Sequence, residues 1–162
     1  MIETIQFKDK KYPKFQSLGF ASQFATPYAQ HVCTGVGYDI GCNRIEWALS
    51  GSIPIDLTLG SDALALPDGE VDYIFSSHCL EHLPNWVEAL DHWTSRIKNG
   101  GTLFLYLPHR SQEYWKPWNN RKHVHIFDEE MIRAYLMDNG YTNIYVSGVD
   151  LNNAFMAMAE KV

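Results

Sequence analysis

Residues 71–107 constrain the fold most tightly. Val71-Asp72-Tyr73-Ile74-Phe75 is β-branched and aromatic, the pattern of a buried strand. Leu83, Val87, Leu90, Thr94 and Ile97 then recur at spacings of four, three, four and three, which places them on one helical face. Pro84 suits the first turn of that helix, Arg96 and Lys98 suit its last, and Asn99-Gly100-Gly101 supplies the stop. Thr102–Leu107 (TLFLYL) follows, too apolar for an edge strand. A strand–helix–strand unit of this kind closes through a right-handed crossover, so its two strands are parallel.

The flanking segments extend that sheet. Val36, Tyr38 and Ile40 alternate up to Gly41 and read as a strand running into a turn, Ile53–Leu57 as a second strand, and Ala63–Leu66 as a third before the turn at Pro67-Asp68-Gly69. After residue 127, Asp128 caps a helix with an acidic first turn (Glu129, Glu130) and an apolar face of Met131, Ile132, Tyr135 and Leu136. The segments 143–146 and 154–159 are strands whose connection is too short for a crossover helix, so that pair is antiparallel. Residues 17–33 carry a short helix interrupted or restarted at Pro27, and residues 1–16 read as a polar arm. The expectation is an α/β, Rossmann-like, mainly parallel seven-stranded sheet. It has an antiparallel C-terminal hairpin and flanking helices, built as an arm (1–16) and a single domain (17–162).

Composition narrows the function classes. A formal charge of −6 makes nucleic acid a poor partner, because an acidic surface repels phosphates. Three cysteines without a CxxC pair argue against a disulfide scaffold or a structural zinc site and fit a reducing cytoplasm. No apolar run approaches the ~20 residues that cross a bilayer, and no signal peptide opens the sequence.

In open α/β sheets, ligands bind at the carboxyl ends of the strands. Those ends hold Asp39-Ile40-Gly41-Cys42, Asp56-Leu57, Ser61-Asp62-Ala63, Ser76-Ser77-His78 and Pro108-His109. Gly41 permits close approach of backbone to ligand, and Asp56 is a candidate acceptor for ribose hydroxyls; each alone is also explained by a turn or a loop cap. The succession Tyr38–Cys42, Asp56, Ser61–Pro67 and Val71–Leu83, continued by Arg96-Ile97-Lys98-Asn99-Gly100-Gly101, resembles the class I S-adenosylmethionine-dependent methyltransferases, in a type-11-like, compact form.

The resemblance covers about residues 33–162 and implies S-adenosylmethionine as the methyl donor. It implies Asp39 and Gly41 beside the methionine portion, Cys42 among the cofactor-binding residues, Asp56 on the ribose, and Leu57 on the adenine. Asp62 and Ala63 would meet the adenine edge, and Ser77 and His78 would lie near the sulfonium. Two features depart from the family pattern. Asn43 stands where a further glycine is usual, and only eleven residues, Cys42–Ser52, separate the turn from the next strand, so the first crossover helix is shortened or lost.

Other motifs carry less. Gly35-x-Gly37 precedes its strand, and Gly41 lies one residue too far on for a dinucleotide fingerprint. His78-Cys79-Leu80-Glu81-His82 matches an H-x-x-E-H zinc pattern, but a five-residue match arises easily by chance, so no metal is expected; His82 reads equally well as a residue bonded to backbone.

The segment 109–127 (HRSQEYWKPWNNRKHVHIF) interleaves cations with Tyr114, Trp115 and Trp118 and reads as a substrate-contacting loop, with a solvated cover for the core as the bland alternative. The expected function is methyl transfer to nitrogen or oxygen of a small polar acceptor, such as a sugar or other metabolite. His109, His78 and His123 are the candidate catalytic residues, with His125 as a further imidazole in the loop. The rival reading is a catalytically silent module binding a partner through that loop.

Overall fold

The computed structural model describes residues 2–162, and the residues expected as an arm fold as a hairpin, β1 (Thr4–Phe7) antiparallel to β2 (Lys10–Pro13). The hairpin docks on the 109–127 segment. Tyr12 is buried and its hydroxyl accepts from the Glu113 amide at 3.1 Å, while Phe7 meets Tyr114 edge-on at 5.1 Å. A single turn, α1 (Lys14–Ser17), and a 3-10 turn lead into α2 (Thr26–Val32), which restarts at Pro27 as expected.

The main sheet then forms from β3 (Gly37–Ile40), β4 (Ile53–Ile55), β5 (Val71–Ser77), β6 (Ile97–Pro108), β7 (Tyr141–Val146) and β8 (Ala154–Lys161). Helix α3 (Trp86–Arg96) connects β5 to β6, and α4 (Glu129–Asp138) precedes β7. The strand order is β4-β3-β5-β6-β8-β7; the first four strands are parallel, and β8 runs antiparallel to both β6 and β7.

The sheet has six strands, not seven. The expected third strand at Ala63–Leu66 is a turn, because the Asp62 carboxylate accepts from the Leu64 amide at 2.8 Å and the Ala65 amide closes onto the Asp62 carbonyl at 3.1 Å. This leaves β4 as the edge.

Helix α3 starts later than expected, since Asn85 is its N-cap and accepts from the Glu88 amide; Pro84 lies before the helix. Its buried face is Ala89, Leu90 and Trp93, with Val87 turned outward, and Ile97 belongs to β6. In α4, capped by Asp128 as expected, Ile132, Tyr135 and Leu136 are buried and Met131 is exposed.

Alternation along β5 splits the core. Ile74 faces α3 and α4 in one cluster, while Tyr73 and Phe75 face α2 in the other, with Phe104 and Tyr106 of β6. No helix among the described residues is long and apolar enough to cross a membrane.

Candidate functional site

The carboxyl ends of β3, β4 and β5 open into a cavity of about 580 Å³, within the ~300–1,000 Å³ typical of small-molecule sites. Its floor is the turn after β3. Gly41 has φ +85°, and a Cβ there would sit 2.4 Å from the Cys79 Cβ; only glycine fits. The spacing of Cys42–Ser52 has the expected consequence: the β3–β4 crossover holds a 3-10 turn (Ile45–Trp47) instead of a helix.

Asn43 takes a left-handed φ of +64°, which asparagine tolerates better than most residues, and its amide donates to Asp56 Oδ2 at 2.8 Å. The other Asp56 oxygen accepts from the Thr58 amide at 2.9 Å. Asp56 therefore ties the glycine turn to the end of β4 while lining the cavity.

Gly41, Asp56, Leu57, Asp62, Ala63 and Ser77 all line the cavity, as does His78. Leu57 stands on the rim at 77% exposure, free to cover a planar group. The Ala63 carbonyl is held from below by the Trp93 indole N–H at 2.8 Å, and the Leu66 amide by His92 Nε2 at 3.1 Å, so α3 fixes the 62–66 turn. Ser77 Oγ and His78 Nε2 are buried without a hydrogen-bond partner among the described residues. His78 also has φ +49°, a strained value for a non-glycine residue.

Three expected residues lie outside the cavity lining. Asp39 is 1% exposed and accepts from the Leu49 amide at 2.7 Å, holding the crossover loop from beneath. Cys42 is buried beside it; burial, then the charges of Asp39 and Asp56, push its thiol up to about 12. His109 is occupied elsewhere, with Nε2 3.0 Å from Glu129 Oε2 and Nδ1 2.8 Å from Ser111 Oγ. His125 is also committed, its Nε2 2.8 Å from the Leu83 carbonyl.

Burial raises the Asp39 carboxyl from an ordinary 3.8 to about 7; the Leu49 amide opposes this and the Asp56 charge adds to it. The folded chain thus holds this proton more tightly than the unfolded chain. Stability from this group is present at low pH and is lost as pH rises between about 4 and about 7. Asp39→Asn keeps an acceptor for Leu49 and removes the slope. Urea titrations should show the variant more stable than the parent at pH 8, with the two converging below pH 4; a constant difference across this range would contradict the assignment.

The 109–127 segment closes one wall with Trp115, Asn120, Lys122 and His123, and the segment 17–19 closes another. The stack of Phe20 on Trp47, centroids 4.6 Å apart, anchors this second wall, for which the sequence offered no motif. His123 stacks on Trp115 (5.4 Å, 16° between planes) and points Nε2 to within 3.9 Å of Glu81 Oε1. The methyltransferase resemblance implies no role for Glu81 or His82, although the H-x-x-E-H pattern contains both.

His82 lines the cavity, and its Nδ1 lies 2.7 Å from the Lys122 carbonyl. Burial pushes the Glu81 carboxyl up to about 8. It depresses His78 and His123 to about 3 each, helped in both by neighbouring imidazoles, and also lowers His82.

A family model described as a methyltransferase domain matches residues 20–146. The chain is 32% identical over 158 residues to phenylethanolamine N-methyltransferase of Sus scrofa, covering 83% of this chain and 54% of that protein. It therefore spans about half the length of this curated relative. Among solved structures, it is similar to a methyltransferase from Thermotoga maritima described as SAM-dependent and a possible histamine N-methyltransferase. That match has a TM-score of 0.65 and 15% identity, over 92% of this chain and 95% of the other. It is similar also to the N-methyltransferase NodS of Bradyrhizobium japonicum WM9 in complex with S-adenosyl-L-homocysteine (TM-score 0.61, 15% identity, 95% and 89% covered). At these identities the structural likeness speaks for the fold.

Proposed function

The chain belongs to the methyltransferase-domain family, and from that premise we propose that it transfers the methyl group of S-adenosylmethionine to a nitrogen or oxygen of a small polar acceptor. The observation that carries this reading is the convergence of Gly41, Asp56 and Ser77, at the carboxyl ends of adjacent parallel strands, with Asp62 of the turn beyond β4 around one cavity. The residues fit such a donor. Gly41 leaves space that a Cβ would fill, and the buried Ser77 Oγ lacks a partner among the described residues.

When bound, S-adenosylmethionine supplies a methyl group already activated on sulfonium. Gly41 then offers its backbone to the methionine portion, and Asp56 accepts from the ribose hydroxyls. Leu57 covers the adenine, whose edge meets Asp62 and Ala63, and Ser77 and His78 stand toward the sulfonium. Asp39 and Cys42 act from beneath, by fixing the turn. The chain's contribution is alignment of the acceptor and exclusion of water. The acceptor enters against Trp115, Asn120, Lys122 and His123. His109, held by Glu129, is not available as the base, which leaves His123 and His78 of the original candidates. The relative named as phenylethanolamine N-methyltransferase favours nitrogen as the acceptor atom.

Incubation with methyl-labelled donor and a panel of small amines and polyols tests this. Label should pass to at least one acceptor with equimolar S-adenosylhomocysteine. In Asp56→Ala, loss of a charge-assisted hydrogen bond worth ~1.5–3 kcal/mol should reduce donor affinity ~10–150-fold. Transfer to no acceptor, with Asp56→Ala binding the product as tightly as the parent, would contradict the reading.

A further inference from the structure

Glu81, buried behind the cavity-lining His78, His82 and His123, is the most anomalous group beside the cavity. Its side chain is fully buried, and neither carboxylate oxygen has a hydrogen-bond partner among the described residues. An isolated carboxylate in that position is strongly unfavourable without a compensating charge. What surrounds it is nitrogen: Oε1 lies 3.8 Å from His82 Nε2, 3.9 Å from His123 Nε2 and 3.6 Å from His78 Nδ1. One ligand atom from each of Glu81, His82 and His123 lies within 4.8 Å of the others.

We propose that Glu81, His82 and His123 bind a divalent transition ion of the zinc class, with its open coordination position facing the cavity. Bonds of ~2.0–2.2 Å place tetrahedral ligand atoms ~3.3–3.6 Å apart, so the glutamate–histidine separations of 3.8 and 3.9 Å, and a histidine–histidine separation within 4.8 Å, close onto one shared ion by small side-chain movements. Two histidines and a glutamate are also a donor set that catalytic zinc sites use when a position is left for substrate.

The outer contacts agree. His82 directs Nδ1 at the Lys122 carbonyl, 2.7 Å away, which fixes the tautomer and leaves the Nε2 lone pair toward Glu81. His123 comes from a distant segment, yet the Val124 and His125 amides both donate to the Glu81 carbonyl, at 2.8 and 3.2 Å, so backbone bonds hold the two parts of the site together. The H-x-x-E-H pattern alone could not reveal this site, because one ligand lies outside it and the glutamate is a ligand instead of a base.

The ion's role rests on the methyl-transfer reading. The acceptor's nitrogen or oxygen would bind the ion through a lone pair and, with His123 held as a ligand, lose its proton to His78, whose Nε2 is without a partner among the described residues. The acceptor's freed lone pair then forms the bond to the methyl carbon as the carbon–sulfur bond breaks, giving methylated acceptor, S-adenosylhomocysteine and one proton.

The test is metal binding by the purified chain, read apart from activity. Elemental analysis should find about one zinc per chain. After chelation, Co²⁺ should restore one site per chain with the visible absorption of a low-coordinate nitrogen–oxygen environment. His82→Ala, His123→Ala and Glu81→Gln should each weaken Co²⁺ binding by more than the ~10–100-fold that outer contacts contribute. His31→Ala, on the exposed face of α2, should leave it unchanged; circular dichroism checks that every variant folds. Co²⁺ binding that is absent, or equal in His82→Ala and the parent, overturns the site. S-adenosylhomocysteine binding, measured on the same chelated protein, reports separately on the methyl-transfer reading and should survive chelation.

Discussion

Gly41→Val should abolish measurable S-adenosylhomocysteine binding and lower the stability of the chain by about 3 kcal/mol or more. Two penalties combine. The φ of +85° is left-handed, which costs an L-residue roughly 1–2 kcal/mol and a β-branched residue more. The added Cβ would also stand 2.4 Å from the Cys79 Cβ and 2.7 Å from its Sγ, an overpacking that costs typically ~1–3 kcal/mol. Relief requires the turn to move away from Cys79, and that turn is where Asn43 bonds Asp56. Urea unfolding and calorimetry together read both effects. A stable variant that binds with parental affinity would mean that the turn is not part of the cofactor site.

Trp93→Ala should remove ~3–5 kcal/mol of stability, the range for deleting a large buried aromatic side chain, and lower the melting temperature by on the order of 10 °C. Trp93 is fully buried beneath the sheet, and its indole also holds the Ala63 carbonyl. Trp93→Phe separates the two roles. It retains most of the packing but leaves the carbonyl without its partner, at ~1–2 kcal/mol, and it should loosen the 62–66 turn enough to weaken S-adenosylhomocysteine binding. Binding unchanged in Trp93→Phe would show that the turn is held by Asp62 and His92 alone.

The parts of the fold that could be read in advance are those in which local pattern and burial agree. In Val71–Phe75 and Thr102–Leu107 nearly every residue is apolar and ends up central in the sheet, so no choice of face was required. The antiparallel pair followed from chain length alone. Ala63–Leu66 failed because four apolar residues are equally a short strand or a turn. The deciding interaction, from the Asp62 carboxylate to the Leu64 amide, competes with strand formation without altering hydropathy. Val87 and Met131 fit their helical spacings but lie at the margins of the apolar faces, where tertiary packing sets the rotation.

The site divides in the same way. Gly41 and Asp56 follow strands directly and Ser77 closes β5, so their placement at the cavity comes with the topology, while Asp62 reaches it through the turn beyond β4. Every residue of β3 is buried, so alternation could not show that Asp39 turns away from the cavity to bond Leu49. His109 follows β6 as expected, but the start of α4 brings Glu129 against it, a partner twenty residues on. Likewise the Glu81–His82 pair is local, while its completion by His123 depends on two backbone bonds between segments that hydropathy does not connect.

The central claim is that the cavity at the ends of β3, β4 and β5 holds S-adenosylmethionine, and isothermal titration of the purified chain with S-adenosylhomocysteine tests it most directly. One-to-one binding in the micromolar range, lost in Asp56→Ala while circular dichroism shows the variant folded, is the predicted result. No heat from the parent chain at high protein concentration, or equal binding by parent and Asp56→Ala, would contradict it.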